Sequence, residues 1–383
     1  MDQKALAVAA IAVLCAAAWI VLNVAGNYGG HISGVFYTGS KRALPPELDG
    51  SHTYRVKDET GYDGQFYRLV AHDPLIRRGF SAFVDNASLR WRRIGVPGLA
   101  AILSFGNDGV VDFVYVAILL AFVMLGAYWL AQYAQQQQWA SAWGLTFLLI
   151  PAVAVSLDRM TIDLALAALT IGLVQSSASP GRRWAIYAIL CAAPLVRETG
   201  LLLVGAWNLY SAMRRDWRAT TLGAACAVPA VIWWIYVYGH TPPDGTPWFS
   251  RYPFSGIIGR TIQGVQAPVS TLWLRAASAF EELALAGIWL ALVLSFYLVW
   301  KRRFGLLEIT AVVFALFAAT LGKFDIWESA YAAGRTMSPL LIVLGLLALR
   351  DRKPLFLFPL FLVLPRIALQ YEAQVREVFR GKI

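Results

Sequence analysis

The run ALAVAAIAVLCAAAWIVLNV, residues 5–24, contains no charged side chain and a single amide, Asn23. Its length matches the roughly 17–25 apolar residues that a helix needs to cross a bilayer. It is too long for the hydrophobic part of a secretory signal, and no convincing cleavage site follows, so it reads as a retained anchor. Apolar runs of this kind recur down the chain. Of its 383 residues 58% are hydrophobic and 15% charged, and the mean hydropathy is +0.56. Soluble domains carry about 45–50% apolar and about 25% charged residues. Lipid therefore solvates most of this chain.

The net charge of +10 invites comparison with polyanion binders, but its distribution excludes nucleic acid as a partner. The basic residues gather at Arg182-Arg183, at Arg214-Arg215 with Arg218, at Lys301-Arg302-Arg303 and from Arg350 to Lys353. Each group ends an apolar run, which is the positive-inside pattern of a multi-pass membrane protein. Cys15, Cys191 and Cys226 lie inside apolar runs without metal-ligand spacing and read as small buried hydrophobes.

Spans are expected near 5–24, 110–133, 139–156, 160–177, 219–238, 283–300, 306–322, 337–349 and 354–370. Two shorter pieces, Trp184–Val196 and Gly200–Ala212, enter and return as a pair around Arg197-Glu198. Ile94–Phe105 is too short to cross and reads as interfacial or re-entrant. The expected fold is an all-α polytopic membrane protein of about 10–12 transmembrane helices. Residues 1–383 form one integral membrane domain with two extracytoplasmic loops, 26–109 and 239–282. The first is rich in Trp, Tyr and Arg, unlike disordered segments, and Pro and Gly punctuation favours helical pieces in both. Orienting the basic groups toward the cytoplasm brings four polar features to the opposite face. They are the Asp63 loop, the Asp158-Arg159 turn, the Arg197-Glu198 break and the stretch from Lys323 to Arg335.

The first of these is Gly61-Tyr62-Asp63-Gly64-Gln65-Phe66-Tyr67. A carboxylate in a partly dry pocket can have its pKa raised and act as a general base. Tyr62, Phe66 and Tyr67 offer faces to stack on a sugar, and Gly64 permits close backbone approach. The plainer alternative is an Asp-Gly turn capping a helix that starts near Gln65. His72-Asp73 either reaches the same pocket or finishes that helix. Asp63 with Asp73 is a weak signal for a divalent cation.

Asp158, Arg159 and Asp163 fall between two apolar runs, where a charge inside the membrane costs about 2.5–3.5 kcal/mol and usually serves function. The alternative is an ion-pair knot closing a helical hairpin. Arg197-Glu198, following Pro194, breaks an apolar stretch, and broken helices at membrane depth line cavities. A local Arg197–Glu198 pair marking the hairpin tip is the rival reading. Arg335 opens the run ending in Met337-Ser338-Pro339, where a guanidinium at a helix start suits phosphate. Snorkelling to headgroups competes. Lys323, Asp325 and Glu328 add polar groups to the same rim.

Taken together, Tyr62 to Tyr67, Asp158-Arg159 with Asp163, Val196-Arg197-Glu198-Thr199, and Arg335 with Pro339 resemble the GT-C superfamily of polytopic glycosyltransferases. The closer resemblance is to its small bacterial members associated with cell-surface glycopolymers. It implies a GT-C-like fold in the bacterial inner membrane and transfer of a sugar, usually with inversion, from a polyprenyl-phosphate donor. The acceptor would be a hydroxyl on a lipid, glycan or protein. It maps the catalytic acidic residue onto Asp63. Arg335 and Arg197 would then stabilise the departing phosphate, with Tyr62, Gln65, Tyr67, Asp158, Arg159, Asp163 and Glu198 around the substrates. The chain departs from larger members in having no clear Asp-X-Asp pair, so a divalent cation is the one cofactor in question. A transporter or flippase of lipid-linked sugars shares the intramembrane charges, and a non-catalytic subunit of an envelope assembly shares the apolar surface. Neither calls for an acidic, aromatic loop outside the bilayer.

Overall fold

The computed structural model describes residues 2–50, 53–179, 181, 183–264 and 272–380. Arg182, used above to orient the chain, His52, and residues 265–271 of the second loop lie outside the described residues. Every named element among those described is a helix, and two isolated bridges, Gly39–Val56 and Phe249–Leu321, are the extended pairings found. Six helices are long and apolar enough to cross a bilayer, which makes the chain an all-α polytopic membrane protein.

Helix α1 (Gln3–Gly26) begins where the Asp2 carboxylate accepts the backbone N–H groups of Lys4 and Ala5. Its inner stripe is Ala5, Ala9, Ala12 and Ala16, all fully buried, while Leu14, Val21 and Leu22 face outward. Small residues at this spacing let a neighbouring helix approach closely in lipid. That neighbour is α5 (Asp108–Gln136), about 43 Å long at 1.5 Å per residue. Between them the first loop carries α2 (Asp63–His72), α3 (Ala87–Arg92) and α4 (Gly95–Leu103). This loop has a core of its own, with Leu44, Leu48, Leu69, Val70, Phe80 and Trp91 packed together.

The expected span 139–156 is two pieces. A 3-10 helix, Ser141–Leu149, meets α6 (Pro151–Arg159) at 59°. Pro151 forces the break, because its ring cannot continue a preceding helix and it sits comfortably at a helix start. The freed N–H of Ala152 donates to Ser338 Oγ at 2.8 Å. A tight turn with Met160 in the left-handed region leads into α7 (Asp163–Ser177), which is buried almost throughout.

Helices α8 (Arg183–Val196) and α9 (Gly200–Met213) form the expected hairpin around Arg197-Glu198-Thr199. The turn is so tight that a Cβ on Gly200 would stand 2.2 Å from the Ala193 carbonyl. Helices α10 (Trp217–Ala225) and α11 (Val228–His240) together make a further candidate span. Trp233 and Trp234 of α11 donate their indole N–H groups to the backbone of Trp91 and Arg92, pinning the first loop to the bundle. The second loop holds α12 (Ser255–Gln263) and leads into α13 (Leu272–Trp300). After α14 (Leu306–Thr320) and the short α15 (Phe324–Trp327) comes α16 (Ala330–Asp351), which packs with α6, α7 and α14 in the core. The last helix is α17 (Phe358–Arg380), beside α13.

Helix α4 stays on one face. At nine residues it spans roughly 14 Å, and both flanks are anchored at the same end of the bundle. Arg93 before it pairs with Glu198, and Asp108 after it pairs with His72 of α2. Ile102, Leu103 and Phe105 are exposed. The described basic residues gather at the other end of the bundle, Arg183, Arg214 and Arg218 about one cavity with Ser179, which Gln136 contacts, and Arg303 beside Asp351.

Candidate functional site

Asp63 is the first residue of α2, and its carboxylate makes no capping bond. It accepts from Arg90 Nη2 at 2.8 Å and pairs with Arg335 Nη2 at 2.9 Å instead. The capping alternative therefore does not describe this residue. Gly64 sets the position: a Cβ there would lie 2.0 Å from the Arg159 carbonyl oxygen and 3.0 Å from that of Phe36. Only glycine lets the start of α2 seat against the end of α6.

Around Asp63 the charges alternate along a chain drawn from five parts of the fold. Arg90 of α3 also pairs with Asp85 at 2.7 Å. Arg335 of α16 reaches Asp163 at the start of α7, its Nε 3.6 Å from Oδ2. Asp163 pairs in turn with Arg197. Glu198 takes a two-pronged pair from Arg93, at 2.8 and 2.5 Å. The Tyr67 hydroxyl joins the branches, accepting from Arg93 at 2.7 Å and Arg90 at 3.3 Å. Asp163 thus stands outside the ion-pair knot weighed as the alternative, and Glu198 turns away from its neighbour Arg197 to a residue 105 positions earlier.

Asp158 and Arg159 form the adjoining pair, 3.1 Å apart. Asp158 also accepts from Tyr331 OH at 3.0 Å, and the Arg159 guanidinium lies over the Tyr37 ring. Tyr62 bridges the two groups, its ring edge-on to Tyr331 and beneath Arg335 at 5.3 Å. Gln65 is placed differently. It is buried, accepts from the Gly39 N–H and donates to the Thr60 carbonyl, so it braces the loop. Lys323 and Asp325 pair with each other at 3.0 Å on an exposed turn.

Burial alone would raise the Asp63 pKa, as the sequence reading expected. Arg90 and Arg335 outweigh it and hold the carboxyl well below the usual carboxylate range. Asp85 follows the same balance, burial opposed by Arg90. Several buried guanidinium N–H groups find no hydrogen-bond partner among the described residues: Arg335 Nη1 and Nε, Arg197 Nε and Arg159 Nη1. Unused charged donors in a buried site are costly, and an anion is the kind of group that would satisfy them.

Asp63 and Asp73 do not make a metal pair. They stand at opposite ends of α2, roughly 15 Å apart at helical rise. Asp73 accepts the backbone N–H groups of Arg77, Arg78 and Phe80. His72 lies between Asp108 and Asp112 and ties α2 to α5, so His72-Asp73 finishes the helix. No set of three His, Cys, Asp or Glu side chains converges among the described residues.

Arg90 and Arg93 are the members that the sequence reading missed. A signal was present: Asn86 caps α3 by accepting the Leu89 N–H, and the two arginines sit three residues apart, Arg90 within the helix and Arg93 at its end. No protein-family model, curated protein or solved structure matches the chain.

Proposed function

We propose that this chain is a membrane glycosyltransferase of the GT-C kind, moving a sugar from a polyprenyl-phosphate donor to an acceptor hydroxyl. The observation that carries the reading is the Asp63 carboxylate held between Arg90 and Arg335, with unused guanidinium N–H groups alongside. That arrangement supplies a proton acceptor and a phosphate cradle at one end of an apolar bundle. A cavity of about 690 Å³, lined by Trp19, Leu148, Leu157, Phe361, Ile367 and Tyr371, opens between α1, α6 and α17. It is apolar, suits an isoprenoid tail, and ends at Leu157, next in the chain to Asp158.

In the reaction the acceptor oxygen bonds to the anomeric carbon while its proton passes to Asp63. The bond from that carbon to the phosphate oxygen breaks, and its electron pair leaves on polyprenyl phosphate. Arg335 and Arg197 stabilise the charge that gathers there. In the resting enzyme Asp63 is a weak base because two guanidiniums hold it ionised. A donor phosphate that draws Arg335 away restores its basicity, so donor binding prepares the base. The cluster then faces away from the cytoplasm in a bacterial inner membrane. With the six long helices, the bent pair and four shorter apolar helices all crossing, the count lies within about 10–12.

The test is release of polyprenyl phosphate by the purified protein from a polyprenyl-phosphate sugar. Asp63→Asn keeps the shape and removes the basicity, and turnover of the folded variant is expected to fall at least about a hundredfold. Near-normal turnover by that variant sinks the assignment. A transporter or assembly subunit releases no lipid phosphate at all.

A further inference from the structure

A second polar site lies on the face opposite the Asp63 cluster. A cavity of about 690 Å³ opens where α7 ends, α8 begins, and α9 hands over to α10. Arg183, Arg214 and Arg218 line it. No carboxylate lies within ion-pair distance of any of the three among the described residues. Asp216, the acid in the lining, caps α10 by accepting the Ala219 N–H at 3.0 Å. The contrast with the rest of this face is sharp. Arg303 and Arg350 are neutralised there by Glu308 and Asp351. Tyr210 steers one of the unpaired cations: Arg214 donates to its hydroxyl at 3.1 Å and lies over its ring at 5.5 Å. Next in the chain to the three lining arginines, Trp184, Met213 and Trp217 are exposed, and exposed Trp side chains at helix ends sit at the headgroup level of a bilayer.

We infer that this cavity binds the phosphate headgroup of an anionic lipid. Three guanidiniums line the cavity against one carboxylate, so an anion is the missing partner. Guanidinium forks suit phosphate oxygens, and basic pockets between membrane helices accept such headgroups. The exposed indoles favour a lipid over a free phosphate, because they place acyl chains beside the charged pocket. This site stands independently of the transferase reading, since no residue is shared with the Asp63 cluster.

The experiment uses the full chain, purified and delipidated, in phosphatidylcholine nanodiscs with and without cardiolipin, with bound lipid counted by native mass spectrometry. Each arginine near an anionic surface is worth about fivefold in affinity, so removing three is expected to weaken cardiolipin retention roughly a hundredfold. The variant is Arg183→Gln with Arg214→Gln and Arg218→Gln. A control carrying Arg215→Gln, Arg302→Gln and Lys353→Gln removes equal charge from exposed positions on the same face and should retain the lipid. Equal loss in both variants, or no cardiolipin on the wild type, overturns the inference. Displacement of cardiolipin by millimolar inorganic phosphate, or equal binding of pyrophosphate without lipid, overturns the lipid assignment while leaving an anion site. Should the triple variant fail to fold, the exposed Arg218→Gln decides alone: wild-type retention counts against the proposal, and a fall of about fivefold supports it.

Discussion

The two ends of this bundle use arginine in opposite ways. At the Asp63 end Arg90 and Arg93 are almost fully buried, and each guanidinium of the cluster faces a carboxylate from a different part of the fold. At the other end Arg183, Arg214, Arg215 and Arg218 are exposed, and their positions follow from the cost of moving positive charge across a membrane. Sequence composition treats both sets alike. What separates them is the partner: a paired, buried arginine fixes geometry, and an unpaired, exposed one reports orientation or awaits a ligand.

The largest expected effect is all-or-none and tests whether the two ends face different compartments. In a background without Cys15, Cys191 and Cys226, single cysteines at Lys57, Glu328 and Arg215 would be probed with an impermeant thiol reagent on intact cells. All three positions are exposed. Lys57 and Glu328 should label and Arg215 should not; the reverse pattern inverts the proposed sidedness. Ser88 in the same loop is fully buried and would report nothing.

Next in size is the Arg93–Glu198 pair. Arg93 is buried and Glu198 partly so, and removing one partner leaves a charge uncompensated at a cost of up to about 3 kcal/mol, the low end for a buried pair. Arg93→Met should lower the melting temperature markedly, and adding Glu198→Leu should recover much of the loss. If the single variant melts like the wild type, this end is no more tightly coupled than the exposed one. Arg335→Lys is expected to act more gently. It keeps the charge but loses the fork, so donor affinity should fall about tenfold with little change in melting. Normal donor binding by an early-melting variant would make Arg335 structural.

The smallest effect concerns pH. The folded pKa of Asp63 lies below its ordinary value, so the unfolded chain binds the proton more readily. The stabilisation is therefore complete above the ordinary carboxylate range and fades as pH falls through and below it. Melting should hold steady from pH 8 to 5 and then decline, and Asp63→Asn should decline less steeply. Equal slopes would mean that Asp63 is not held as described. In the proposed reaction kcat reports the donor-bound enzyme and kcat/KM the free one. The acidic limb of kcat should accordingly lie at the higher pH.

Much of this architecture was legible in the chain. Residues 5–24 announce a candidate span because length and apolarity are local properties, and Ile94–Phe105 announces a short helix for the same reason. The Arg197-Glu198 break was visible as a pair of charges in an apolar run. The 59° bend at Pro151 was not, because hydropathy summed over 139–156 is blind to direction. The partners of each charge were also hidden. Glu198 had an arginine beside it in sequence, yet it pairs with Arg93, because the turn before Gly200 and the docking of α3 decide what can meet. Arg90 and Arg93 drew no assignment, since nothing local shows that a loop will bury them. Gln65 erred the other way, as its neighbours are functional in type while its own amide braces backbone.

One bond near the core bears on how such a site can move. Ser338 holds the first free N–H of α6, and it lies three residues from Arg335 on the same helix. Sliding that helix to shift the arginine would strip the start of α6 of its acceptor and disturb the helix that carries Asp158. The helix is in effect bolted at its working end. In the proposed reaction, a handover of Arg335 from carboxylate to phosphate is therefore expected to come from rotation about its side-chain bonds, with the frame held still.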